Sequence, residues 1–233
     1  MPRPIDICPE IHRICDVLPT YKDPSEVPFD NGLCLFYEKG EVTEHAPNGR
    51  IVRVENHKPP ESLRSRLALD YFGDKNSSEF RKLLGGAILR KEIPDPLETD
   101  IDSLECLNTM AGLSGHWVTD EPTCEKCRPI EAKISDLLKS NFRFHCIEIE
   151  DKKLRNTFER KLIATISLCP CPPAGKPSES WLGRFSYDMT VASFGLWNYE
   201  YVAEEGFLSR GLLNEEELKI LENLVTSTLK NKK

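Results

Sequence analysis

In the segment KKLRNTFERKLIATIS, Lys152 to Ser167, a glutamate occupies a position that should be greasy. At about 100° per residue, Leu154, Phe158, Leu162, Ile163 and Ile166 fall on one apolar stripe of a helix, and Glu159 falls inside it. A charge on the packed side of a helix costs on the order of 2–5 kcal/mol unless it is paired, hydrogen-bonded or bound to a metal. What Glu159 faces therefore constrains what this helix can pack against. The plain answer is Arg155, one turn earlier on the same stripe and spaced for an i,i+4 ion pair. The other answer is a site in which the carboxylate does chemistry.

A chain of 233 residues can bury one substantial core without disulfides, so one domain with elaborations is expected. The opening MPRPIDICPEIHR has no apolar run of signal-peptide length, and no stretch approaches the roughly 18 apolar residues of a membrane span. The reading is a cytoplasmic chain with no membrane partner. Nine cysteines, an odd number scattered through helical patterns, fit reduced thiols better than a disulfide framework. The net charge of −7 argues against loose, purely electrostatic binding to nucleic acid and leaves room only for a local basic cleft.

Residues 1–30 carry Pro2, Pro4, Pro9, Pro19, Pro24 and Pro28 and read as an extended N-terminal arm, helical at most around Glu10 to Val17. Gly32 to Gly40 and Arg50 to His57 read as a hairpin with a long loop. Ser62 to Phe72 and Ser77 to Arg90 read as helices; Gly85-Gly86 weakens the second or lets another element approach. An insertion spans about 91–141, with a weak helix near Asp102 to Met110 and a stronger one opened by Pro129. Phe142 to Glu150 is strand-like and leads into the Glu159 helix. The proline-rich CPCPPAGKP follows, and SWLGRF and SFGLWNYEYV suggest packed irregular structure or a short strand. The clearest helix is the last, about 214–230, capped by Asn214 with Leu218, Leu221, Leu224 and Val225 inward. Residues 31–233 thus form one α+β domain, a small mixed or antiparallel sheet flanked by helices with an inserted helical segment.

Taken in order, GLCLFYEKGE, RIVRVENH, SLRSRL, SEFRKLLGGAIL, ERKLIATIS, SWLGRF and SFGLWN resemble the GIY-YIG nuclease family, in a divergent, restriction-enzyme-like or uncharacterised branch. The resemblance implies an endonuclease that hydrolyses phosphodiester bonds in DNA with one divalent cation, Mg²⁺ or Mn²⁺, and it leaves room for a homodimer. It implies Glu159 as the metal ligand, Arg66 as the phosphate clamp and Asn198 as the polar group closing the site. Mg²⁺ keeps several waters, so one protein carboxylate suffices when a substrate phosphate completes the shell. A guanidinium adds bidentate charge to the phosphate as charge builds on it.

The chain departs from the family pattern at three positions. The first family tyrosine falls at Cys34, the second at Arg53, and a glycine at Glu55. Tyr37, three residues from Cys34, points to the opposite face of a regular strand. Arg53 can assist electrostatically, and His57 just past the strand is the candidate proton acceptor. Glu55 adds bulk and negative charge where a phosphate should enter. These departures support a second reading, a degenerate module that binds nucleic acid or a protein without cutting. Each residue also has a plainer role: Arg66 pairing with Asp70, Asn198 closing a turn, His57 on a surface loop, Arg53 as a solvated cross-strand charge.

Cys124-Glu-Lys-Cys127 has zinc-like spacing, with Cys169, Cys171, Cys106, His116 or Cys146 available to complete four ligands. A second matching pair is missing, so the spacing does not predict a structural Zn²⁺. No phosphate-binding glycine loop, nucleophile elbow or internal repeat is present.

Overall fold

The structure, a computed structural model, describes residues 3–58, 60–92, 117, 119, 125, 128–171, 177–202 and 211–231. Its elements are α1 (Pro4–Cys15), β1 (Gly32–Glu38), β2 (Ile51–Glu55), α2 (Leu63–Phe72), α3 (Glu79–Glu92), α4 (Arg128–Asn141), β3 (Phe142–Glu148), α5 (Lys152–Leu168), α6 (Met189–Phe194) and α7 (Glu215–Lys230), with short 3-10 turns at Pro24–Glu26 and Leu182–Phe185. The α+β class and the small sheet follow the sequence expectation. The sheet is antiparallel throughout, in the order β2-β1-β3. The weak helix near Asp102 to Met110 lies outside the described residues, as do Cys106, His116, Cys124 and Cys127.

Helices cover both faces of the sheet, so β1 is buried along its whole length. On one face Cys34, Phe36, Val52, Phe144 and Cys146 pack against Leu67 and Tyr71 of α2, Phe80 and Leu84 of α3 and Ile134 of α4. On the other, Leu33, Leu35, Tyr37, Ile51 and Val54 pack against Ile7 and Ile11 of α1, Phe158 and Leu162 of α5, and Leu221 and Val225 of α7. The hairpin register shifts between Phe36 and Tyr37, because Phe36 opposes Arg53 while Tyr37 opposes Ile51. Val52 is the extra residue of a β-bulge, and such a bulge re-aims the side chains after it. Arg53 and Glu55 consequently share the α2/α3 side of the sheet, while Ile51 and Val54 both stay with α5.

The N-terminal arm is not extended. Ile7, Ile11 and Ile14 form a helical stripe on α1 and all three are buried. Pro4 sits in the first turn, where a missing N–H costs nothing, and Pro9 is absorbed within the helix. Counting prolines as breakers overlooked that stripe. Residues beyond α1 do run extended, and Tyr21 pairs with Phe144 through N···O bonds of 2.8 and 3.0 Å, closing the outer edge of β3. The other edge, β2, receives Trp197 N–H on the Val52 carbonyl at 2.7 Å.

SWLGRF and SFGLWN form two short helical turns rather than a strand, and they anchor the sheet's end. Glu38, the last residue of β1, accepts the indole N–H groups of Trp181 at 2.8 Å and Trp197 at 3.0 Å on one carboxylate oxygen. A buried ion pair joins Arg50 to Glu41 at 2.6 Å, with Ser178 also donating to Glu41 and Arg50 donating to the Gly195 carbonyl. In α3, Gly85 and Gly86 admit the rings of Trp117 and Tyr187 where a Cβ would overlap them. Cys34 and Cys146, directly opposed in the β1–β3 register, are joined as a disulfide, which corrects the expectation of uniformly reduced thiols. Cys8, Cys15, Cys169 and Cys171 are buried and lie outside that disulfide.

Burial raises the pKa of Glu38, so neutralising this residue should be tolerated while removing its acceptor should not. We predict that Glu38→Gln stays within about 1 kcal/mol of the wild type, whereas Glu38→Leu, which strands two indole N–H groups, costs about 2–5 kcal/mol. Urea unfolding of the two variants checks this.

Candidate functional site

Where β2 ends, the bulge has turned two charged residues into the interior, and burial forces them to find partners. Glu55 carries the burden. One carboxylate oxygen accepts from Arg53 and the other from Arg66 Nε of α2 at 3.0 Å. Arg66 also donates to Asp70 at 3.1 Å, one helical turn on, and to the Ser77 carbonyl at 3.4 Å. Asp70 is fully buried and takes a second hydrogen bond from Ser78 Oγ at 2.6 Å. Arg53 donates to the Trp197 carbonyl at 2.6 Å and lies over the Phe80 ring at 4.6 Å. Two guanidinium groups and two carboxylates thus compensate one another without leaving the protein.

Glu159 stands outside this exchange. It is half-buried on α5, and its hydrogen-bond partner is the Asn56 amide at 3.0 Å. Among the described residues it forms no ion pair. The spacing with Arg155 is right, but Arg155 Nη1 donates instead to the carbonyls of Ile149 and Glu150, each at 2.8 Å, where the chain leaves β3. Burial pushes the Glu159 carboxyl up to about 7; the Asn56 hydrogen bond opposes this, Glu55 adds to it, and Arg53 and Lys58 pull it down.

A cleft of about 220 Å³ opens between the end of β2, α2 and α5. Arg53, Glu55, Asn56, Lys58, Arg66, Glu79, Glu159, Asn198, Tyr199 and Tyr201 are among the residues that line it. Arg53, Arg66, Glu159 and Asn198 are therefore brought together. Asn198 arrives with its amide already committed: it accepts from Val54 N–H and donates to the Val54 carbonyl, both at 2.9 Å, completing the edge of β2. His57 is not among the lining residues. Its ring donates from Nδ1 to the Glu61 carbonyl at 2.8 Å, and burial lowers its pKa, which keeps it neutral behind the loop.

Cys34, where the family pattern has a tyrosine, is sealed in the disulfide to Cys146. Tyr37 packs on the opposite face against the His145 ring at 4.6 Å; the bulge lies on β2 and leaves its direction unchanged. The sequence reading missed Asn56, Lys58, Tyr199 and Tyr201. Tyr199 follows Asn198 directly and Tyr201 comes two residues later, with a left-handed φ of 63° that turns the loop at the rim.

The α+β fold and a cleft that holds a helical carboxylate beside two guanidinium groups agree with the family resemblance read from the sequence. A family model described as a GIY-YIG domain matches residues 16–230, and the chain belongs to that family, whose members are generally endonucleases that use divalent metals. No curated protein and no solved structure matches it.

Desolvation raises the pKa of Asp70 to about 6, with Glu55 adding repulsion and Arg53 and Arg66 opposing. An acid held above its unfolded value, near 3.9, stabilises the fold below that value and loses the contribution as pH rises through the folded one. Relative to Asp70→Asn, the wild type should therefore lose on the order of 2–3 kcal/mol between about pH 4 and pH 7 and change little above that. Chemical denaturation of both proteins across this range tests it.

Proposed function

We propose that this cleft is the active site of a metal-dependent endonuclease that hydrolyses phosphodiester bonds in DNA. The observation that carries the reading is Glu159: a half-buried carboxylate whose partner is a neutral amide, in the same cleft as Arg53 and Arg66. The donor set suits a hard cation such as Mg²⁺ or Mn²⁺, which takes one or two carboxylates and completes its shell with water and phosphate oxygen. Glu159 would hold that cation, oriented by Asn56, and the bound ion supplies positive charge at the phosphoryl oxygen and an acidified water.

The chain's own groups do the rest. Arg66 uses three of its five N–H bonds on Glu55, Asp70 and Ser77, which leaves donors for a phosphate held bidentately. Glu55 acts as a brace, fixing the planes of both guanidinium groups so that little entropy is lost when substrate binds. Lys58 extends the positive side of the cleft, and the exposed ring of Tyr199 offers a stacking surface at its mouth. The acidic side chains Glu61, Glu79 and Glu200 also line the cleft, so a phosphate enters favourably only with a cation.

A second reading, a module that binds nucleic acid or a protein without cutting, draws support from two observations. Glu55 neutralises the guanidinium groups, and the disulfide removes any reactive group at Cys34.

Incubation of supercoiled plasmid with Mg²⁺ and with Mn²⁺ separates the readings. The nuclease reading predicts nicking that falls at least about 1,000-fold in Glu159→Gln and about 100-fold in Arg66→Lys, which keeps the charge and loses the fork. Cleavage that survives Glu159→Gln removes the assigned mechanism. Binding of duplex DNA without cutting under any cation supports the second reading.

A further inference from the structure

A second cluster of ligating atoms lies at the C-terminal end of α5, outside the cleft described above. Cys8 of α1, His45 of the β1–β2 loop, and Cys169 and Cys171 just past α5 each bring one atom to a common point, and these four atoms lie within 4.8 Å of one another. Cys8 Sγ is 3.9 Å from Cys171 Sγ, and Cys169 Sγ is 3.2 Å from His45 Nδ1. A zinc tetrahedron with bonds of about 2.3 Å to sulfur and 2.0–2.1 Å to nitrogen has corners about 3.5–3.8 Å apart. The observed separations bracket that spacing.

Three further observations set the cluster apart from chance packing. The cysteines group only with one another, apart from both large apolar cores. Cys171 holds a left-handed φ of 45°, a conformation that costs a non-glycine residue on the order of 1–3 kcal/mol and needs a compensating interaction. Its N–H donates to Cys169 Sγ at 3.4 Å, the bond that a thiolate favours. His12, whose Nδ1 is 3.6 Å from Cys8 Sγ, is not a competing ligand. Its Nε2 accepts from Ile51 N–H at 3.1 Å and its Nδ1 donates to the Cys8 carbonyl at 2.9 Å.

We propose that Cys8, His45, Cys169 and Cys171 bind one zinc ion that pins α1 and the hairpin loop to the end of α5. Thiolate and imidazole donors select zinc over the hard cations suited to Glu159. Four protein ligands leave no open coordination position, so the role is structural. Of the ligands considered from sequence, Cys169 and Cys171 take part, while Cys146 is excluded by its disulfide to Cys34. The inference is independent of whether the cleft cuts DNA.

The test is metal content of the full chain, purified under reductant without chelator, together with titration by Co²⁺. The proposal predicts about one zinc per chain and, in Co²⁺, the intense visible bands of a tetrahedral thiolate site. His45→Ala, on a half-exposed loop, and Cys169→Ser should each retain below about a tenth of the zinc, while Cys15→Ser, a buried thiol outside the cluster, should retain all of it. Should Cys169→Ser fail to fold, chelation of the wild type must lower its melting temperature, with recovery on adding zinc. A wild type that holds no zinc and gives no cobalt bands overturns the proposal. So does zinc that survives His45→Ala and Cys8→Ser but is lost in Cys124→Ser or Cys127→Ser.

Discussion

The covering of the sheet on both faces is the constraint from which the site follows. A three-stranded sheet exposed on one side could leave Arg53 and Glu55 in water, where they would need no partners. Here α2 and α3 close over them, and charges taken out of water must be matched in place. Glu55 therefore binds both guanidinium groups, and Asp70 is drawn in by the second. Once that exchange is complete, neither guanidinium pairs with Glu159. Arg155, the remaining neighbour on α5, is occupied by the carbonyls at the exit of β3. Glu159 is left with an amide, and burial raises its pKa, with Glu55 adding to the rise and Arg53 and Lys58 opposing it.

Two parts of the molecule hold this arrangement rigid. At the far end of β1, Glu38 gathers Trp181 and Trp197, and the turn after Trp197 lays Asn198 along β2. The tryptophans set the position of the loop that carries Tyr199 and Tyr201 into the cleft, at a distance from any chemistry. On the other side, α5 is packed against the sheet, α1 and α7 by hydrocarbon, with the cysteine–histidine cluster at its C-terminal end. The carboxylate thus rides on a helix packed along its apolar stripe, as a preorganised site requires.

Much of the scaffold was legible because periodicity reports burial directly. The stripes of α4, α5 and α7, the Asn214 cap and the Gly85-Gly86 close approach all appear in the structure where the pattern placed them. Failures came where meaning depended on a partner distant in sequence. Glu55 looked like an obstruction, since nothing local shows that a bulge at Val52 turns it towards Arg66. His57 looked like a base because the strand ends beside it, yet its ring is held by Glu61. Cys8 and Cys171 are 163 positions apart, and no spacing rule joins them. The prolines of residues 1–30 were weighed individually, and the isoleucine stripe of α1 outweighed them.

The proposed function requires that a divalent ion, and no side chain, neutralise Glu159. Binding of Mn²⁺ in the presence of an uncleavable phosphorothioate duplex, followed by electron paramagnetic resonance, tests it most directly. One bound Mn²⁺ per chain is expected in the wild type and in Glu79→Gln, and loss of that ion in Glu159→Gln. Equal Mn²⁺ affinity in the wild type and Glu159→Gln would contradict it.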